Sequence, residues 1–424
     1  MEREKSKRQH ILFLTPQLPY PPEQGTAIRN FNLIRQVSRH FGVSLLSFAD
    51  RSPQPQHLAT LQQFCQNIWT VPVPSWPLKK RLRLLLSSAD PDLAHRLRSS
   101  TFSSVLRRIL KDHPFDALQI EGLEMAPYGL EAQSWPEVSS PPLIFDAHNA
   151  EYVLQRRAFT ASLSTVKRWP AAIYSLVQWH RIRRFERLVC QQAWAVLAVS
   201  QLDAQALKKL LPALRPLLVP NGVDTSLYHP GLKDSLPLEH PALVFTGKMD
   251  FRPNCEAAQW FIKAVWPHIQ AQIPKVHLYI VGKNPPPQLQ RFQSPQIHIT
   301  GYVKDILPYF GGADVYIVPL LVGGGTRLKV LEAMAAALPI VSTQLGIEGI
   351  PLQNEKHALI AQDAPSFARK VIYLLKNPRA AQSLGQAARA FVQKRYTWEA
   401  VTLPLLKLYT SLPHKTRGHK SDDL

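Results

Sequence analysis

Three consecutive glycines, Gly323-Gly324-Gly325, stand directly before Thr326-Arg327-Leu328-Lys329, with Glu332 three residues further on. Three glycines in a row cost backbone entropy, so they belong where a chain needs unusual dihedrals or where a ligand comes very close. An apolar strand, 314–318, runs into this loop, and an apolar helix is expected to start near Thr326. Arg327 and Lys329 then fall in its first turn, at the positive end of the helix dipole, which is unfavourable by roughly 0.3–1 kcal/mol per charge. A diphosphate in the loop would reverse that sign, because helix N–H groups and two cations would face it. Glu332, one to two turns along, is a carboxylate able to accept hydrogen bonds from both hydroxyls of a ribose. The bland alternative is a tight turn with two solvated bases and a surface glutamate. The loop lacks the lysine and spacing of a Walker-type phosphate loop and the third glycine of the dinucleotide fingerprint, so a phosphate site here is of another class.

A second set of candidates falls in the first half of the chain. Strand 11–15 leads through a Pro-rich loop to Gly25-Thr26, after which a helix carries Arg29 in its first turns. Strand 142–146 ends in Asp146-Ala147-His148-Asn149-Ala150-Glu151. His148 at a strand end is a candidate proton carrier or sugar contact; the competing reading is a loop histidine bonded to nearby backbone. Asp90-Pro91-Asp92 mimics a metal-binding acidic pair, but it lies between two helical segments and reads as a helix-capping turn.

These residues need a scaffold, and the pattern supplies one. Short apolar strands alternate with longer helical segments throughout, which is the signature of parallel α/β architecture. Strands are expected at 11–15, 43–48, 68–72, 116–120, 142–146 and 194–199, then at 242–246, 276–281, 296–300, 314–318, 339–342 and 357–361. A long helix is expected around 171–192, with others at 255–272, 327–337, 364–376 and 379–394. Pro220 through Pro241 reads as the connection. The chain thus divides into 1–220, 221–396, a C-terminal helix 397–412 returning toward the first domain, and a disordered tail 413–424. In such sheets ligands gather at the carboxyl ends of the strands, so two such domains imply a cleft.

Composition narrows the class. With 424 residues, 45% of them hydrophobic, the chain can bury large cores. Cys65, Cys190 and Cys255 form no CxxC pair, so neither a disulfide framework nor a zinc cluster is indicated, and a reducing compartment is the default. The apolar run behind the charged N-terminus, Ile11 to Leu14, is a strand rather than a signal-peptide core, and nothing approaches a membrane span. The net charge is +20, with 28 Lys/Arg against 16 Asp/Glu up to Pro220 and 22 against 14 after it. Basic, leucine-rich stretches at 77–86 and 105–111 suit an anionic membrane surface. No nucleic-acid module is visible.

The chain resembles the GT-B-fold glycosyltransferases of family 4 over nearly its whole length. Pro220-Asn221-Gly222-Val223-Asp224 with Tyr228-His229-Pro230, the Phe245-to-Asn254 strand and loop, Gly301-Tyr302-Val303, and the glycine loop with Leu331-Glu332-Ala333-Met334-Ala335 follow in that family's order. Phe245 to Asn254, the Gly-Gly-Gly-Thr-Arg-Leu-Lys variant and Asp146 to Tyr152 are similar to its exopolysaccharide-associated branch. The resemblance implies two Rossmann-like domains facing across a cleft, and a hexosyl group moved with retention from a nucleotide sugar, UDP- or GDP-linked, to a glycan or lipid-linked acceptor. It implies that Lys248 and Arg252 clamp the diphosphate together with backbone N–H groups near Gly325 and Thr326, with Gly247, Gly324, Arg327 and Lys329 as further donor-binding residues. Tyr302 and Val303 would contact the base, Glu332 the ribose, and Gly25 the donor from the facing domain. His148 matches the histidine near the reacting sugar. No metal or other cofactor is expected, and the place is cytoplasmic with peripheral contact at the inner face of the cell membrane. Gly324 stands where many relatives carry the first of two glutamates eight positions apart, which leaves the donor sugar open. A sugar-nucleotide epimerase of the same fold and a catalytically silent nucleotide-sugar or glycan-binding protein are the alternatives.

Overall fold

The computed structural model describes residues 8–50, 53–75, 77, 83–84, 87–163, 169–232, 238–322 and 327–413. It divides into two compact units, Met1–Val219 with Thr402–Leu424, and Pro220–Val401. The glycine loop 323–326 and most of the basic stretch 77–86 lie outside the described residues.

The first unit is built on seven parallel strands: β1 (His10–Thr15), β2 (Gly42–Ala49), β3 (Asn67–Pro72), β4 (Ala117–Glu121), β5 (Leu143–Ala147), β6 (Ala195–Ala198) and β7 (Leu217–Leu218). Their order is β3-β2-β1-β4-β5-β6-β7. β2, β4 and β5 are buried along their whole length, as strands covered by helices on both faces should be. On one face Phe48 stacks on Phe102 at 4.4 Å, and Phe102 meets Tyr128 at 4.3 Å. The helix Ser100–Asp112 turns Phe102, Leu106, Ile109 and Leu110 into this core. This corrects the reading of 105–111 as a membrane-facing helix: its apolar face is already spent on packing, and Arg107 is paired with Glu137.

Strand order reverses at β1, whose neighbours β2 and β4 lead away in opposite directions, so the crevice expected to hold ligands opens at the carboxyl ends of β1 and β4. Register then decides which side chains arrive there. Glu121 of β4 lies opposite Asp146 of β5, and Ile120 opposite Leu14 of β1. Two carboxylates therefore sit side by side at one end of the sheet.

The second unit has six parallel strands: β8 (Ala242–Thr246), β9 (His277–Val281), β10 (Ile297–Gly301), β11 (Val315–Val318), β12 (Ile340–Thr343) and β13 (Leu359–Ala361). The order β10-β9-β8-β11-β12-β13 puts the reversal at β8. The helical run expected at 255–272 starts earlier, at Arg252, and widens into a π turn at Phe261–Val265. Pro267 explains the widening: it lacks an N–H, and its ring would meet the carbonyl four residues back in a regular helix. The helix expected from Thr326 starts at Leu328. The helix Trp398–Thr410 leads the chain from the second unit back into the first, where Tyr409 is fully buried against Phe41.

Candidate functional site

In the first unit, the helix Gly25–Val37 points Arg29 at the end of β5. Nε and Nη2 of Arg29 donate to the two oxygens of Asp146 at 2.8 and 2.9 Å, and both side chains are almost fully buried. Next to this pair, Nε2 of His148 meets Oε2 of Glu121 at 3.0 Å and stands 4.0 Å from Asp146. The other oxygen of Glu121 accepts from Gln119 at 2.7 Å, and Tyr409 donates to Gln119 at 2.5 Å. With its amide turned to suit its neighbours, Asn30 donates to Glu121 at 2.8 Å. His148 is therefore not a loop histidine bonded to backbone. It is the rim of a buried network with the guanidinium of Arg29 and the carboxylates of Glu121 and Asp146.

Burial pushes the Glu121 carboxyl up, and the charge of Asp146 adds to this. Asp146 goes down: burial alone would raise it, but Arg29 beside it wins. Burial alone would lower His148, yet its bond to Glu121 and the charge of Asp146 hold it above the usual imidazole value. Among the described residues its Nδ1 has no hydrogen-bond partner. Gly122, held at φ +86°, has no side chain beside that nitrogen, and a Cβ there would come within 3.5 Å of it. An imidazole oriented through Nε2, with Nδ1 left open, is suited to contacting a sugar hydroxyl. A metal ion does not fit here. The ligand atoms of Glu121, Asp146 and His148 lie within 4.8 Å of one another, but both oxygens of Asp146 already carry the guanidinium of Arg29.

The loop that follows is fixed as firmly. Backbone N–H groups of Ala150, Glu151 and Tyr152, at the start of the helix Glu151–Leu163, are taken by the carboxylates of Asp203 and Glu186 at 2.9–3.1 Å. Asp92, first residue of the helix Asp92–Arg96, accepts from the Tyr174 hydroxyl at 2.8 Å, so the Asp90-Pro91-Asp92 turn does not sit at a strand end. Gly25 is the first residue of its helix.

In the second unit the reversal point at β8 gathers several of the expected residues. Gly247 follows β8, and Gly282 follows β9; the two backbones touch, since a Cβ on Gly282 would lie 1.8 Å from the Gly247 carbonyl. Only glycine fits such an approach. Lys329 reaches across from the helix Leu328–Ala335 and donates to the Thr246 carbonyl at 2.6 Å and to Asn254 at 2.9 Å, with its ammonium 4.6 Å above the Phe245 ring. Asn254 in turn donates to the Lys248 carbonyl at 2.9 Å. Lys329 is thus held by protein groups as well as being a candidate to face an anion. Protein oxygens and an aromatic face offset its place near the helix N-terminus, and it pins the loop that carries Lys248. Burial, with help from Arg327, brings its pKa down to about 7.

Glu332, one turn further on, lies near the hydroxyl of Tyr228, and burial raises it to about 7. Arg327 stands at the N-cap position of this helix without a side-chain capping bond. Lys248 and Arg252 are different in kind: half-exposed, they are paired among the described residues with surface partners, Asp250 at 3.5 Å and Glu256 at 2.7 Å. Such pairs are worth about 0–1 kcal/mol, so a diphosphate can displace them. Tyr302 and Val303 follow β10, and Tyr302 is 67% exposed. Gly324, Gly325 and Thr326 lie outside the described residues.

Sequence reasoning missed Glu121, Gln119, Asn30 and Tyr409. The alternation Gln119-Ile120-Glu121 carried a usable signal, because it places two polar groups on one face of a strand with no reason to be polar unless they are bonded.

Residues 24–227 match the model of "Glycosyltransferase Family 4" and residues 240–377 that of "Glycosyl transferases group 1". A 44.6 kDa uncharacterised protein in the cps region of Klebsiella pneumoniae is 21% identical over 94% of this chain and 99% of its own. The phosphatidyl-myo-inositol mannosyltransferase of Mycolicibacterium smegmatis is 27% identical over 46% of this chain, a match that spans about half (51%) of the enzyme. Among solved structures, Anabaena HepE in complex with UDP and glucose aligns with a TM-score of 0.66 at 13% identity, covering 95% of this chain and 100% of its own.

Proposed function

Starting from a chain that belongs to glycosyltransferase family 4 and has GT-B architecture, we propose that it moves a hexosyl group from a nucleoside-diphosphate sugar to a glycan or lipid-linked acceptor, with retention, in cell-surface polysaccharide synthesis. The observation that carries this reading is the end of β8. Lys329 there anchors the Lys248 loop, while the cations of Lys248 and Arg252 are left on weak surface partners.

The task is to stabilise charge that builds on the leaving diphosphate. Fixed cations aimed at it act mainly in the transition state and are worth about 3–4 kcal/mol each when well placed. Glu332 would take the ribose hydroxyls, and Tyr302 and Val303 the base. His148, oriented by Glu121, would hold the reacting sugar through Nδ1. In a retaining transfer by this route no protein nucleophile is needed, since a leaving phosphate oxygen can take the acceptor proton. The UDP and glucose bound by HepE, and the cps-region relative, support this donor and product class.

A lipid-linked acceptor is supported by the mannosyltransferase relative and by the basic first half. No helix among the described residues is long and apolar enough to cross a membrane. Leu163, Trp169 and Ile173, on the helices Glu151–Leu163 and Trp169–Gln192, nevertheless expose apolar side chains that suit contact with a lipid surface. The test is an incubation with UDP- and GDP-hexoses and a polyprenyl-linked sugar acceptor, with the new linkage read by NMR. An α-linked product from an α-donor is expected. Inversion, or a changed sugar nucleotide formed without acceptor, would refute the reading.

A further inference from the structure

At the opposite end of the second unit's sheet, remote in the strands from the β8 exit, two histidines and a glutamate converge. His277 opens β9 and is buried; His298 is the second residue of the edge strand β10; Glu239 precedes β8. Nδ1 of His277 and Nε2 of His298 stand 3.1 Å apart, and Nε2 of His277 is 3.3 Å from a Glu239 oxygen. One ligand atom from each residue falls within 4.8 Å of the others.

Nothing in sugar transfer calls for this cluster, and it is not placed by chance. The His298 ring lies flat on Tyr279 at 4.5 Å and 11°, and the Tyr279 hydroxyl accepts the Glu239 backbone N–H at 2.8 Å. The His277 backbone N–H donates to the Pro241 carbonyl at 2.8 Å. Two imidazole nitrogens bound to one zinc-class ion at about 2.0–2.1 Å and a tetrahedral angle would be separated by roughly 3.3 Å. The His277–His298 spacing is already close to that. Glu239, 68% exposed, is free to swing its carboxylate to a third position.

We propose that Glu239, His277 and His298 form a binding site for a divalent transition-metal ion of the zinc class, tying the edge strand β10 and the segment before β8 to β9. The ion is structural: two imidazoles and a carboxylate leave an open position, but the site sits at the amino ends of the strands, away from the sugar-nucleotide residues. His277 offers one nitrogen to the ion, so its bond to either His298 or Glu239 is exchanged for coordination.

The experiment is titration of the metal-stripped full chain with Zn²⁺, read by calorimetry and by thermal unfolding, with Co²⁺ absorption as a second readout. One ion per chain is expected, with a Tm rise of about 5 °C or more at a hundredfold excess over Kd. His298→Ala and Glu239→Gln, both at accessible side chains, should fold and lose at least tenfold in Zn²⁺ affinity. Absence of binding, or binding that both variants retain in full, would overturn the site and leave a hydrogen-bonded Glu-His-His chain. Neither outcome bears on sugar transfer, which rests on other residues.

Discussion

The two clusters treat their charges in opposite ways. In the first unit Arg29, Asp146, Glu121 and His148 satisfy one another behind a closed surface, with only the edge of His148 accessible. In the second, Lys248 and Arg252 are half in water and held by carboxylates that a diphosphate can displace. The difference follows from what each must do. A charge meant to orient a neighbour is most useful when it cannot move. A charge meant to meet a ligand must be poorly satisfied until the ligand arrives.

Breaking the first cluster should therefore cost the fold, and breaking the second should cost binding. Arg29→Ala leaves Asp146 buried without its cation, and unfolding free energy should drop by about 3–5 kcal/mol in urea titrations. A loss under 1 kcal/mol would show that the pair is not the keystone of this end of the sheet. Glu332→Ala should leave thermal stability close to the native value while weakening nucleoside-diphosphate affinity about tenfold, the worth of one charge-assisted hydrogen bond. Equal affinity would remove Glu332 from the ribose role.

The smallest effect is the most specific. Glu121→Gln should bring the His148 pKa down, seen as an earlier loss of imidazolium signal in NMR titration. The sign follows from the raised folded-state value: the stabilisation from charged His148 is complete below its ordinary 6.5 and is lost as pH rises through the higher folded pKa. In the variant that upper window should close. An unmoved titration would mean that Glu121 does not orient the histidine.

Much of this architecture was readable from the chain. Parallel strands such as 242–246, and the helix 364–376, fall where apolar runs and caps place them, because local pattern and burial agree there. The family signature also brought Gly247, Lys248, Lys329 and Glu332 forward. What sequence left hidden depends on contacts between distant segments. Tyr409 and Gln119 are 290 positions apart and meet only once the last helix has docked. The helix position of Lys329 was visible, whereas its acceptors, Thr246 and Asn254, come from another strand end. The leucines of 105–111 read as a membrane face for the same reason: amphipathicity gives a side and not what covers it.

The most direct test is calorimetric titration of UDP and GDP onto the native chain and onto Lys248→Ala/Arg252→Ala. Because both side chains sit on the surface, the double variant should unfold at the native temperature. It should bind the preferred nucleotide at least a hundredfold more weakly, at about 1.5–3 kcal/mol per charged contact. Affinity retained within a factor of three would contradict the assignment of the diphosphate to the end of β8.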